Sequence, residues 1–296
     1  MPYQPKFKGR LLPFILLFPT LLILVVFLYY PVIQTFRLSL YRTAFLGMRR
    51  TFVGLENFVS LMQDPDYWHT VKVTLIITTA IVIGGLAISL AIAMLANQKI
   101  RGASIYRILL IWPYALSPAV AGVIFLFLFA PGYGALNYII SLVIGRELNW
   151  LGDPNLAVLL IILTSIWKNL GYNIVFYLAG LQNLNTEVLE AAEIDGAGPW
   201  RRFWSVTFAL LSPITFFLLI TNITYSFFDI FGTIDIVTKG GPMDATTVMI
   251  YRLYRDAFEY YKSGLAAAQS IILFGLVVVL TLIQFRTSGR YVHYGG

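Results

Sequence analysis

Six stretches of the chain read as nearly unbroken apolar runs, and the polar residues gather between them. The runs cover roughly Leu11–Ile33, Val71–Ala96, Ser104–Ala130, Leu156–Gly180, Ser205–Phe228 and Leu265–Phe285. Each is close to the twenty or so residues that a helix needs to cross a hydrocarbon core about 30 Å thick. The pattern predicts an all-α, polytopic membrane protein of six transmembrane helices. Nothing repeats at a fixed period and no low-complexity tract divides the chain. Residues 1–296 are therefore expected to form one membrane domain, with a short arm at 1–10 and a polar connection at 181–204 between spans four and five.

The ends of the runs refine this picture. Lys6, Lys8 and Arg10 precede the apolar stretch Leu11–Tyr30. A secretory signal has a similar charge pattern, but its apolar region is shorter, and no small-residue cleavage site follows here. The stretch is read as a retained first helix. Pro113 and Pro118 fall inside the third run and Pro213 inside the fifth. Each removes a backbone donor, so these two spans are expected to be kinked.

Composition agrees with the pattern. Of the 296 residues, 58% are hydrophobic and 12% charged, about half the charge of a soluble domain. The net charge of +7 would point to nucleic acid in a soluble protein. Here it fits basic residues that flank spans, so the partner is the lipid bilayer and no nucleic acid is expected. With six spans both termini share a side. Each side then receives ten of the 21 basic residues, and Lys168 lies within a span. The connections on the side of the termini are much shorter, so their basic residues are denser. That density predicts a multi-pass plasma (inner) membrane protein with both termini in the cytoplasm.

Catalytic chemistry finds little support. The chain has no cysteine, and its two histidines, His69 and His293, fall on opposite predicted sides. Asp64 and Asp66 flank Pro65 in a turn where solvated carboxylates are the ordinary reading. There is no nucleophile elbow, metal-ligand spacing or phosphate-binding glycine loop. No catalytic residue, metal site or bound cofactor is expected. A secondary transporter would show duplicated halves with paired broken helices, and neither is visible.

The connection between spans four and five carries the most specific pattern. It reads Glu190-Ala191-Ala192-Glu193-Ile194-Asp195-Gly196-Ala197-Gly198-Pro199-Trp200-Arg201-Arg202-Phe203. Gly196 and Gly198 permit a sharp turn, and Pro199 suits the first position of a following helix. Two short helices around a turn are predicted, with small residues that let another surface approach and with Glu190, Arg201 and Arg202 as ionic groups. Glu190-Ala191-Ala192 followed by Gly196 resembles the EAA loop of binding-protein-dependent ABC importer permeases. Phe52-Val53-Gly54-Leu55-Glu56-Asn57-Phe58, and Lys239-Gly240-Gly241-Pro242 with Ala245-Thr246-Thr247, resemble phrases of the carbohydrate-uptake (maltose-type) permeases. Tyr225–Asp229, Ala267-Ala268-Gln269-Ser270 and Val279–Arg286 are most similar to the sn-glycerol-3-phosphate branch of that family.

The resemblance implies a permease that moves a small polar solute, sn-glycerol 3-phosphate or a neutral sugar, by alternating access. It implies a second homologous permease subunit, two cytosolic ABC ATPase subunits and an extracytoplasmic solute-binding protein. ATP and Mg are expected on the ATPase partner. Glu190, Ala191, Ala192, Asp195, Gly196, Arg201 and Arg202 would then couple this chain to the ATPase. Two polar stripes mark a candidate solute path. Ser165, Lys168, Asn169 and Tyr172 lie on span four, and Asn222, Tyr225, Ser226 and Asp229 on span five. Each follows i, i+3, i+4, i+7, which is one helix face. An ammonium at the middle of a span is costly, so Lys168 is expected to face a wet cavity or a charged partner such as Asp229.

Overall fold

The computed structural model describes residues 11–44, 49–98 and 102–291. The arm at 1–10, His293, and Lys99 and Arg101 of the connection at 97–103 lie outside the described residues. Among the described residues four helices are long and apolar enough to cross a membrane: α1 (Leu12–Ser39), α3 (Pro65–Ala96), α7 (Pro154–Gln182) and α13 (Ser263–Tyr291, apolar to Arg286). Two bent pairs of helices bring the number to six if each pair is one span. They are α4 (Ala103–Ile111) with its following turn and α5 (Pro118–Phe129), and α9 (Pro199–Leu210) with α10 (Ser212–Phe228). The remaining helices are α2 (Glu56–Gln63), α6 (Ala135–Ile144), α8 (Thr186–Ile194), α11 (Phe231–Val237) and α12 (Met249–Tyr254). The strands β1 (Tyr41–Ala44) and β2 (Arg49–Phe52) form an antiparallel hairpin. The architecture is the all-α, multi-span class that the apolar pattern predicts.

The two proline-bearing runs differ from simple kinked helices. The third run breaks by 105° and the fifth by 67°. At the first break a tight 3₁₀ turn over Trp112–Ala115 ends α4, and Leu116 and Ser117 are extended. Pro118 disfavours a helical conformation in the residue before it. Ser117 then caps a new helix, its hydroxyl accepting from the Val120 amide at 3.2 Å, with Pro118 at the first position. At the second break Pro213 withholds the amide that Ala209 would need. The boundary expected between the 181–204 connection and a span beginning at Ser205 is also absent. The helix from Pro199 continues through a wide turn at Phe203–Thr207 and ends at Leu210.

The chain divides into two compact units. The first comprises residues up to Asp64 with Leu253–Ile272, and the second Pro65–Arg252 with the segment from Leu273 onward. In the first, Asn57 fixes the hairpin: its Nδ2 donates to the Ser39 carbonyl at 2.7 Å and the Tyr41 carbonyl at 3.1 Å. Tyr41 and Phe52 face each other across the strands at 5.4 Å.

In the second unit α3 and α7 form the central pair. A side chain at Gly84 would meet Ile166 at 3.1 Å, so the glycine allows a close crossing. One apolar cluster gathers Val73, Ile77, Phe125, Phe129, Trp150, Leu160 and Ile234; a second gathers Val82, Leu86, Ile174, Tyr177, Leu211 and Leu218. In a bilayer such packing rests on close van der Waals fit and interhelical hydrogen bonds more than on expulsion of water.

Candidate functional site

Helix α7 begins cleanly. Asp153 accepts from the amides of Asn155 (2.8 Å) and Leu156 (3.1 Å), and Pro154 occupies the first position. From there the helix runs for 29 residues, and its buried face carries Ser165, Lys168, Asn169 and Asn173. Polar side chains on the buried face of a membrane helix need partners or a wet space. Both are present.

The partner is Asn222 of α10. Asn173 and Asn222 exchange reciprocal amide hydrogen bonds, Nδ2 to Oδ1, at 3.2 and 2.7 Å, and Asn222 also donates to the Leu218 carbonyl at 2.8 Å. This pair fastens α7 to α10. Its cost, if broken, is that of an unsatisfied buried amide, about 1–3 kcal/mol.

The wet space is a cavity of about 290 Å³, lined by Tyr114, Lys168, Asn169, Tyr172, Ile220, Thr221, Asn222, Thr224, Tyr225 and Asp229. The buried Lys168 ammonium lies 5.0 Å from the centre of the Tyr114 ring and 5.1 Å from that of Tyr225. Cation–π attraction of this kind holds a partly desolvated ammonium without neutralising it. Asp229 is exposed on the same wall, and no direct ion pair joins it to Lys168 among the described residues. The Asn169 Nδ2 is buried with no hydrogen-bond partner among the described residues, and the buried Tyr225 hydroxyl lies beside the hydroxyls of Ser165 and Thr233. The wall thus offers a cation, an amide donor, a phenol and a carboxylate.

Of the eight residues expected on a solute path, six line this cavity. Ser165 and Ser226 do not. Both are fully buried, and Ser165 sits beside the Tyr225 phenol. A stripe defined by i, i+3, i+4, i+7 is broad enough for one edge to face the helix core. Asn222 lines the cavity, but its amide is committed to Asn173. Tyr114 was not expected at all. It stands on the 3₁₀ turn that breaks the third run, outside any helical stripe, 5.1 Å from the Tyr172 ring. The signal that could have found it was the Pro113–Pro118 spacing, which forces a break between two helices. Gly171 makes the approach possible, since a side chain there would strike the Ile111 backbone at 2.6 Å.

The 181–204 connection has its own geometry. Asn185 caps α8 by accepting from the Glu187 amide at 2.9 Å. At the other end the Ala197 amide bonds the Ala192 carbonyl (3.0 Å) and the Gly196 amide the Glu193 carbonyl (3.0 Å), with Gly196 at φ +80°. This is a Schellman ending, which a glycine adopts without strain. Pro199 then starts α9, and Arg202 of α9 pairs with Glu193 of α8 across the turn. Glu190, Ala191, Asp195 and Arg201 stay exposed, as do Ile194 (86%) and Trp200 (76%). An exposed isoleucine and tryptophan on this helical hairpin form an apolar surface, with Trp200 meeting Trp204 edge-on at 5.8 Å.

Comparison with known proteins decides the family. Residues 85–291 match the binding-protein-dependent transport system inner membrane component. The chain belongs to this family. It is therefore a transport permease of the inner membrane. It is similar along nearly its whole length to the sn-glycerol-3-phosphate transport system permease protein UgpA of Brucella abortus biovar 1 (strain 9-941). The two are 42% identical over 290 residues, 97% of this chain and 98% of that one. UgpA of Agrobacterium fabrum (strain C58 / ATCC 33970) is 44% identical over 293 residues, 98% of each chain. The fold is also that of a chain in the crystal structure of a bacterial alginate ABC transporter in complex with an alginate pentasaccharide-bound periplasmic protein. The TM-score is 0.82 at 22% identity, covering 94% of each chain. The permease family thus supplies what the cavity and hairpin suggested separately: a membrane component built to work with other chains.

Proposed function

We propose that this permease carries sn-glycerol 3-phosphate through the cavity around Lys168, as one of two permease chains in an ATP-driven importer. The observation that carries the reading is the mid-span ammonium, held between two tyrosine rings and in no direct ion pair with Asp229 on the same wall. A phosphate monoester would supply that charge, and a charge-assisted hydrogen bond to it is roughly twice as strong as a neutral one. Asn169 Nδ2 and the Tyr225 hydroxyl would serve the remaining phosphate and hydroxyl oxygens. The names of the UgpA relatives support the same solute.

The hairpin Thr186–Arg202 is the proposed docking surface for a cytosolic ATPase, with both termini in the cytoplasm. Glu190, Ala191, Ala192, Asp195, Gly196, Arg201 and Arg202 form or shape it, and Ile194 and Trp200 add apolar area. ATP and Mg would be held by that ATPase and not by this chain. A binding protein delivers solute from outside, and closure of two ATPases rocks the hairpins to change which side of the cavity is open. A second reading, a neutral mono- or oligosaccharide as solute, draws on the three tyrosines, Tyr114, Tyr172 and Tyr225, that line the wall and suit a sugar face. The discriminating experiment uses the reconstituted complex with its binding protein. Uptake of labelled sn-glycerol 3-phosphate, unaffected by excess neutral sugar, is the expected result. Uptake of the sugar with none of the phosphate ester would overturn the first reading.

A further inference from the structure

A second uncompensated concentration of charge lies in the first unit. Helix α1 carries exposed apolar side chains from Leu12 to Phe36, and none of its most apolar window is buried in this chain. Arg37 follows directly, in the last turn. Gln34, Arg37, Leu38 and Tyr41 continue at i, i+3, i+4, i+7, one side of the helix and its exit. The hairpin then folds back, and its register sets Arg50 opposite Thr43. Gln34, Arg37, Leu38, Tyr41 and Arg50 together enclose a pocket of about 390 Å³. Among the described residues no carboxylate lines it. The nearby Glu56 is engaged by Arg42, while Arg37 and Arg50 make no ion pair among the described residues.

We propose that this pocket binds the phosphate group of an anionic phospholipid and so fixes the end of the first span to the headgroup layer. Guanidinium forks match phosphate oxygens in pairs, and the Tyr41 hydroxyl and Gln34 amide supply neutral donors beside them. The same chemistry would suit a free phosphate ester. The position favours a lipid: the pocket sits where an apolar helix ends, so acyl chains can lie along the uncovered side chains below it while the headgroup meets the arginines.

The test is native mass spectrometry of the full-length chain in mild detergent, titrated with phosphatidylglycerol or phosphatidylcholine. The expected result is preferential retention of phosphatidylglycerol. The R37Q/R50Q variant is expected to weaken it by about tenfold or more, because each lost guanidinium removes charge-assisted hydrogen bonds to the phosphate. The R37K/R50K variant, which keeps the charges but loses the paired donors, is expected to bind more weakly than wild type and more tightly than R37Q/R50Q. Millimolar inorganic phosphate or sn-glycerol 3-phosphate is expected not to displace the lipid. Displacement by either would reassign the pocket to a free phosphate ester and overturn the proposal, as would equal retention by R37Q/R50Q. If the double variant does not accumulate, Arg50→Gln on its exposed strand is measured instead. A loss of about threefold or more is then expected, and an unchanged affinity overturns the proposal.

Discussion

Lys168 and the Asn173–Asn222 pair show how similar polar side chains on one helix face take different tasks. The asparagines satisfy each other and hold two helices together; the lysine and Asn169 line the cavity instead. Replacing Asn173 with leucine keeps the bulk but strands the Asn222 amide. The expected cost is about 1–3 kcal/mol, read as a lower midpoint in denaturant unfolding from mixed micelles. The N173L/N222L double variant is expected to recover part of that loss, because neither amide is then left unpaired. Equal midpoints for wild type and Asn173→Leu would show that the pair holds nothing. Gly171 is a sharper constraint. Gly171→Leu would drive a side chain into the Ile111 backbone, so Tyr114 is expected to leave the cavity wall. Solute transport is expected to fall at least about tenfold, even in variants that still insert.

At the scale of elements, the apolar pattern was a good guide to where helices lie and a poor one to where they turn. The first, second, fourth and sixth runs are long helices close to their expected bounds. The third and fifth are bent pairs, because hydropathy records that a residue is apolar and not which way its helix points. Pro113 and Pro118 in the third run and Pro213 in the fifth marked a kink in each, but not bends of 105° and 67°. The same limit hid Tyr114, and it set Ser165 and Ser226 on stripes whose cavity they do not line. The hairpin at 186–202 was legible for the opposite reason. Its turn is dictated by Gly196 at positive φ and by Pro199, both local and both explicit in the sequence. Gly196→Val is expected to strain that turn by about 1–2 kcal/mol without preventing insertion. Solute uptake and solute-stimulated ATP hydrolysis are then expected to fall together. Glu190→Lys is expected to do the same by reversing a charge on the exposed surface. Normal uptake by both variants at normal abundance would remove the hairpin from the coupling mechanism.

For the whole molecule, the claim that both termini are cytoplasmic can be checked with single cysteines, because the native chain has none. Tyr133 is 74% exposed in the connection after α5, and a side chain at Gly198 meets nothing within 4 Å. Tyr133→Cys is expected to react with an impermeant maleimide from outside only, and Gly198→Cys only after the cytoplasmic face is opened. Labelling of both from one side would contradict the proposed threading. The central claim joins this topology to the cavity: the Lys168 ammonium meets the charged part of the solute in transit. Its most direct test is ATP-driven, binding-protein-dependent uptake of labelled sn-glycerol 3-phosphate into proteoliposomes, with wild type compared to Lys168→Met. That substitution keeps much of the bulk and removes the charge. The account predicts uptake by wild type and a loss of about tenfold or more in the variant, with complex assembly and basal ATP hydrolysis retained. Undiminished uptake by Lys168→Met would contradict it.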